Sequence, residues 1–240
     1  MSPILPAKTM NTTHSRWFSL WLLALVNLPG SLAHSSEGPV ILILGDSLSA
    51  AYGIPVEQGW VSLLQRRLAE RGFPHRVVNA SISGDTTSGG LSRLPAALQA
   101  HHPALVLLEL GANDGLRGQS LSLMADNLGR LIELSRQAGA RVLLAEMRIP
   151  PNYGPLYTQK FQATFASVAE HYDVPLLPFL LDGVAGNPAL IQDDGLHPHA
   201  GAQPRILDNV WRVLEPLLRP ATDAAAPAAD ATRSAVPAPG

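Results

Sequence analysis

Two hydrophobic rhythms alternate along the middle of the chain. Val40-Ile-Leu-Ile-Leu44 is an unbroken apolar run ended by a glycine, too short for a helix, and it reads as a strand buried on both faces. Residues 57–71 then carry Trp60, Leu64 and Leu68 at helical spacing, with Gly72 placed to end the helix. Arg76-Val-Val-Asn-Ala80 predicts a second strand, and Asp85-Thr-Thr87 offers an N-cap for a helix reaching Ala100. Leu105-Val-Leu-Leu-Glu-Leu110 predicts a third strand, followed by a stripe of Leu121, Met124, Leu128 and Leu131 that ends at Gly139. Arg141-Val-Leu-Leu-Ala145 predicts the fourth strand, residues 156–172 a helix, and residues 174–177 a short fifth strand. A final helix shows Ile206, Val210, Val213, Leu214 and Leu217 on one face.

Strands alternating with helices of this length predict an α/β domain in which a parallel sheet is covered on both faces. Right-handed crossovers make it a three-layer α/β/α, doubly wound domain. The spacing of the five strands fits the flavodoxin-like order 2-1-3-4-5. The expected domain spans residues 38–219, with no internal repeat. Before it, Lys8, His14 and Arg16 precede an apolar stretch over 17–26, then Pro29-Gly30 and Ser31-Leu32-Ala33. That is the order of a cleaved export signal over residues 1–33, with Met10 an alternative start. A membrane span needs about 20 apolar residues, and this run is shorter. Residues 220–240 are mostly Ala, Pro and small polar residues without periodicity, which predicts a flexible tail. The expected destination is the periplasm or the exterior, with no stable membrane anchor.

Composition narrows the chemistry. Hydrophobic residues make up 46 % and charged residues 15 %, enough apolar matter for a sizeable core. A formal charge of -2, and no basic run longer than Arg66-Arg67, argue against a nucleic-acid partner. Cysteine is absent, which excludes disulfides, thiolate nucleophiles, Cys-ligated metals and a lipoprotein anchor. His101, His102 and His199 stand outside any H-E-x-x-H pattern and read as surface histidines rather than metal ligands.

In an open parallel sheet, ligands bind beyond the carboxyl ends of the strands. Gly45-Asp-Ser-Leu-Ser49 follows the first strand, Ser81-Ile-Ser-Gly-Asp85 the second and Gly111-Ala-Asn-Asp-Gly115 the third. Gln192-Asp-Asp-Gly-Leu-His-Pro198 precedes the last helix. Ser47 is a candidate nucleophile, His197 its base, and Asp194 the group that orients the imidazole, with Asp193 as the alternative acid. The backbone N–H groups of Ser47 and Gly84 and the Asn113 amide are candidate donors to an oxyanion. Gly84 suits that task because it lets a substrate oxygen approach the backbone. Asp46 reads as a turn-forming residue and Asp114 as a loop-fixing one. Leu48, Ile82, Ile149, Pro150 and Tyr153 flank these blocks as candidate walls of an acyl groove, and Arg148 as a group near its mouth. Ordinary loop packing is the alternative for the apolar residues, and simple solvent exposure the alternative for Arg148.

Ser47, Gly84, Asn113 and His197, in this order and context, resemble the SGNH (GDSL) hydrolase family, and Asp194 matches its D-x-x-H acid. Leu44-Gly-Asp-Ser-Leu-Ser-Ala50, Val78-Asn-Ala-Ser-Ile-Ser-Gly-Asp-Thr86, Asp114-Gly-Leu-Arg-Gly118, Pro151-Asn-Tyr-Gly154, Val174-Pro-Leu-Leu-Pro178 and Gln192-Asp-Asp-Gly-Leu-His-Pro198 look like its multifunctional bacterial periplasmic acyl-CoA thioesterase/lysophospholipase group. The likeness covers residues 40–218. One departure is Gly111-Ala112-Asn113, where the pattern usually has two glycines before the Asn; only a local backbone adjustment is expected. The resemblance implies a flavodoxin-like fold, no metal and no organic cofactor; a monomer is the separate expectation. It also implies hydrolysis of fatty acyl esters and thioesters, lysophospholipids and aryl esters. The residues alone give acyl transfer to water. Two rival readings remain at this point: a carbohydrate O-acetylesterase with the same machinery, and a non-enzymatic periplasmic binding module.

Overall fold

The computed structural model describes residues 38–219. The export signal expected over 1–33 and the tail expected over 220–240 lie outside the described residues. Five parallel strands form one sheet: β1 (Val40–Gly45), β2 (Arg76–Asn79), β3 (Leu105–Glu109), β4 (Arg141–Ala145) and β5 (Leu176–Leu177). Their order is β2-β1-β3-β4-β5, as the spacing predicts. The first strand therefore lies one place in from the β2 edge, and the direction in which strands are added reverses between β1 and β3, where a doubly wound sheet opens its binding crevice.

The helices are α1 (Trp60–Glu70), α2 (Thr87–His101), α3 (Ala112–Leu116), α4 (Leu121–Gln137), α5 (Pro155–His171) and α6 (Gln203–Leu218). α1 packs with α6, whereas α2 packs with α4 and α4 with α5, which gives the two helical layers. All six residues of β1 and all five of β3 are buried, consistent with their unbroken apolar sequence. Trp60, Phe161 and Phe165 are fully buried, the two phenylalanines edge to face at 5.3 Å. Each fully buried side chain of this kind contributes about 1.5–3 kcal/mol by leaving water.

Two elements differ from the sequence expectation. The first helix begins at Trp60 rather than Glu57, after a separate 3-10 turn over Val56–Gln58. Gly59 between them is extended (φ -67°, ψ 150°), and a Cβ there would stand 2.8 Å from that of Ala51. The Trp60 N–H, left without a helical partner, is capped from α6 by Gln203 Oε1 at 2.9 Å. In addition, residues 112–116 form a short helix instead of continuing as a loop after β3.

Candidate active site

Strand register brings the four blocks to one edge. Ile43 pairs with Asn79 on one side and Leu107 on the other, and Gly45 pairs with Glu109, so the loops after β1, β2 and β3 emerge side by side. After Gly45 the chain turns tightly. Asp46 Oδ1 accepts the Leu48 N–H at 3.0 Å, the Asx turn expected of this residue, and the Asp46 carbonyl accepts the Ala50 N–H at 3.0 Å. A Cβ on Gly45 would lie 2.5 Å from Glu109 Oε2 and 2.8 Å from Ser49 Oγ, so the turn closes this tightly only with glycine. Asn79 Nδ2 donates to the Ser49 carbonyl at 2.8 Å and fixes the turn to β2.

The loop before α6 is closed by an antiparallel bridge of Ile191 with Pro198, and the Gln192 N–H donates to the His197 carbonyl at 2.8 Å. Gln192 Nε2 donates to the Pro198 carbonyl at 3.0 Å and to the Tyr52 carbonyl at 2.9 Å, which ties this loop to the one bearing Ser47. Across that tie His197 Nε2 lies 2.8 Å from Ser47 Oγ, and Nδ1 lies 2.6 Å from Asp194 Oδ2. Asp194 Oδ1 accepts the N–H groups of Leu196 at 2.9 Å and His197 at 3.0 Å. Burial alone would raise the Asp194 carboxyl; these backbone donors and the imidazole overcome it and hold it down at about 2. The Tyr52 ring covers the imidazole, its centroid 4.4 Å away.

The three candidate donors belong to residues that line one cleft: Ser47, Gly84 and Asn113. Among the described residues neither the Ser47 nor the Gly84 N–H has an acceptor within the protein, and both residues line the cleft. Gly84 adopts φ +79°, a conformation that favours glycine. Asn113 Nδ2 gives one hydrogen to Asp46 Oδ2 at 3.1 Å and retains a second. Asp114 is the loop-fixing residue expected: its two oxygens accept the Thr87 N–H at 2.9 Å and hydroxyl at 2.6 Å, and Asn127 donates to that hydroxyl at 3.1 Å. This clamp joins the start of α2, just beyond Gly84, to α3 and α4.

The cleft over Ser47 has a volume of about 410 Å³ and walls that include Leu48, Leu116, Met147, Pro150, Phe179 and Leu181. Arg148 stands at its rim, stacked on the Phe179 ring at 4.6 Å and paired with Glu146 at 2.9 Å. Of the other candidate wall residues, Ile149 differs from the expectation: its side chain is buried in the core, where a Cβ on Gly115 would meet it at 2.9 Å. Ile82 and Tyr153 are exposed and do not line the cleft, although the Tyr153 hydroxyl donates to the Leu116 carbonyl at 3.0 Å. His101 and His102 end α2, and His199 accepts the Gly201 N–H to cap a 3-10 turn. Among the described residues no three His, Asp or Glu side chains converge as metal ligands would.

Sequence reasoning missed Glu109 and Ser49. Glu109 is fully buried at the end of β3 and accepts the Asp46 N–H at 3.1 Å and the Ser49 hydroxyl at 2.6 Å. Its signal was present: a single acid inside the otherwise apolar run 105–110.

The sequence profile of the GDSL-like lipase/acylhydrolase family matches residues 43–203. The chain belongs to this family. It is 50 % identical to Esterase TesA of Pseudomonas aeruginosa over 187 residues, 78 % of this chain and 93 % of that protein. It is 42 % identical to Thioesterase 1/protease 1/lysophospholipase L1 of Escherichia coli K12 over 198 residues, 82 % of this chain and 94 % of that protein. The solved structure of the psychrotrophic esterase EstA from Pseudoalteromonas sp., inhibited by monoethylphosphonate, superposes with a TM-score of 0.72 at 45 % identity, covering 75 % of this chain and 98 % of that one. The chain is accordingly an ester hydrolase of the SGNH type, and its Gly111-Ala112 departure has a local explanation. Only Gly111 needs a left-handed backbone (φ +114°), and a Cβ there would stand 2.9 Å from the Phe165 ring; Ala112 already begins α3.

Proposed function

We propose that Ser47, His197 and Asp194 carry out a two-step acyl transfer to water, with Ser47 N–H, Gly84 N–H and Asn113 Nδ2 receiving the oxyanion. The observation that carries this reading is the continuous line from Ser47 Oγ through both imidazole nitrogens to Asp194, at 2.8 and 2.6 Å. Ser47 Oγ attacks the carbonyl carbon while Nε2 takes its proton, and negative charge collects on the carbonyl oxygen. As the tetrahedral species collapses, His197 returns the proton to the departing alcohol or thiol, leaving an ester on Ser47. Water, deprotonated by the same nitrogen, attacks that ester and releases the carboxylic acid.

The substrates we propose are esters and thioesters of fatty acids, including lysophospholipids and aryl esters. The apolar wall from Leu48 to Leu181 supports this over O-acetyl sugars, because each acyl methylene buried there gains about 0.8 kcal/mol that an acetyl group cannot collect. Residues 17–33 support export to the periplasm or exterior, and among the described residues no helix is long and apolar enough to cross a membrane. Acyl-CoA is a cytoplasmic metabolite, so lysophospholipids and related acyl esters are then the donors within reach. The test is turnover of p-nitrophenyl esters of graded length, palmitoyl-CoA and lysophosphatidylcholine by wild type and Ser47→Ala. An organophosphonate should label wild type and not Ser47→Ala. Preference for acetate over octanoate would replace the fatty acyl reading, and a Ser47→Ala protein with full turnover would remove the nucleophile.

A further inference from the structure

Beneath the nucleophile turn lie two carboxyl groups that the acyl-transfer scheme does not use. Glu109 is completely buried, and its Oε2 is engaged by two donors, the Asp46 N–H and the Ser49 hydroxyl. Its Oε1 is buried with no donor, and because Oε2 accepts the Asp46 N–H at 3.1 Å, the two carboxyl groups lie together beneath the turn. Among the described residues no ion pair reaches Glu109. Arg93, which touches the Gly45 carbonyl at 3.3 Å, is itself paired with Asp85 at 2.7 Å. Asp46 meanwhile accepts the Leu48 N–H on one oxygen and Asn113 Nδ2 on the other.

Two carboxyl groups in this setting do not both ionise. A proton on Glu109 Oε1, directed to Asp46, relieves their repulsion and satisfies the oxygen that otherwise has no donor. Oε2 is the poorer place for it, because two hydrogens already point there. We propose that Glu109 is a positioning residue that works as a neutral acid: its shared proton fixes Asp46, and Asp46 fixes Asn113 and the Ser47 turn. This rests on the roles given above to Ser47 and Asn113. Burial, and after it the Asp46 charge, raise the Glu109 carboxyl well above its ordinary value; Asp46 is pushed up to about 6, chiefly by burial, against the lowering influence of its hydrogen bonds and of His197. The neutral state also suits the chemistry. One negative charge behind Asn113 holds the amide, whereas a second would oppose the oxyanion forming on its other side.

Glu109→Gln tests this directly. It keeps the shape, accepts from Asp46 N–H and Ser49 through Oε1, and donates to Asp46 through Nε2 in place of the acid proton. Its kcat should stay within about threefold of wild type, whereas Glu109→Leu should lose about 10- to 100-fold in kcat with little change in KM. In infrared spectra near pH 8, wild type should show the carbonyl stretch of a protonated carboxyl group, and Glu109→Gln should lack it; this readout stands even where Glu109→Leu fails to fold. Absence of that band from wild type, its persistence in Glu109→Gln, or a Glu109→Gln protein as impaired as Glu109→Leu would overturn the proposal. Failure of the Ser47 reading would be seen separately, as phosphonate labelling that survives in Ser47→Ala, and would leave the infrared result untouched.

Discussion

His197 can accept the Ser47 proton at Nε2 only while Nδ1 keeps its hydrogen, and the 2.6 Å bond to Asp194 selects that tautomer. Asp194→Asn presents a donor as readily as an acceptor to Nδ1, and kcat should fall about 10⁴-fold with the fold intact. The sign of the pH effect follows from the same contacts. The Asp194 carboxyl sits at about 2, below its ordinary 3.8, so its ionised form and the stability it adds are present above that ordinary value and are lost only as pH falls through 2. Mild acidification therefore leaves Asp194 ionised, whereas Asp46, pushed up to about 6, takes up a proton in that range and loosens its hold on Asn113. Turnover and the rate of phosphonate labelling should decline together as pH is lowered, and labelling that stays constant while turnover falls would place the acid loss in a later step. In the proposed mechanism Asn113 acts differently, as a donor with one hydrogen given to Asp46 and the second offered to the oxyanion. Asn113→Ala should lower kcat about 10²- to 10³-fold, and near-wild-type turnover would remove it from the oxyanion site.

Elements deliver these residues through contacts between neighbouring blocks rather than through any one motif. Gly45 shows this best, since its missing side chain lets Glu109 and Ser49 close under the nucleophile turn. Gly45→Ala should destabilise the protein by about 1–3 kcal/mol in urea unfolding and lower activity beyond what that loss explains, because Glu109 must give way. An unchanged unfolding midpoint would show that the strand end tolerates the methyl group. The strands were legible in the sequence because β1 and β3 are fully covered, and β4 is covered after Arg141, so they are nearly free of polar residues, and their order followed from the helices between them. Ser47, Gly84, Asn113, Asp194 and His197 were legible as candidates because their short blocks follow the predicted strands or precede the last helix, and because together they resemble one family's pattern. The break at Gly59 was not, since it depends on Ala51 and on a cap from Gln203, 143 residues away along the chain. Nor was the orientation of Ile149: apolar residues beside a cleft face either the ligand or the core, and only the approach of Gly115 decides it. Glu109 stood in plain view, but an acid in a buried strand becomes meaningful only once its register opposite Gly45 is known.

At the scale of the whole molecule, a proton held by Glu109 makes stability itself pH-dependent. A carboxyl group whose folded value is raised binds its proton more tightly in the native state, so stability is greatest below its unfolded value and declines as pH rises towards the folded one. For Asp46 the decline runs from 3.8 to about 6, and for Glu109 it begins at 4.5 and continues well above that. Each such proton costs about 1.4 kcal/mol of stability per pH unit within its window. His75, lowered by burial and by Arg141, works in the opposite direction. Its contribution, like that of Asp194, is common to wild type and Glu109→Gln and drops out of their difference. Glu109→Gln has no proton to lose, so its stability relative to wild type should improve steadily between pH 5 and pH 8, by about 1.4 kcal/mol per unit up to the folded value of Glu109. Urea unfolding of the two proteins across that range measures the difference, and a constant offset would mean that Glu109 is ionised in the native enzyme. The loss of stability at neutral pH is then the expected cost of keeping an uncharged acid beneath the nucleophile, and the same substitution that preserves turnover should recover it.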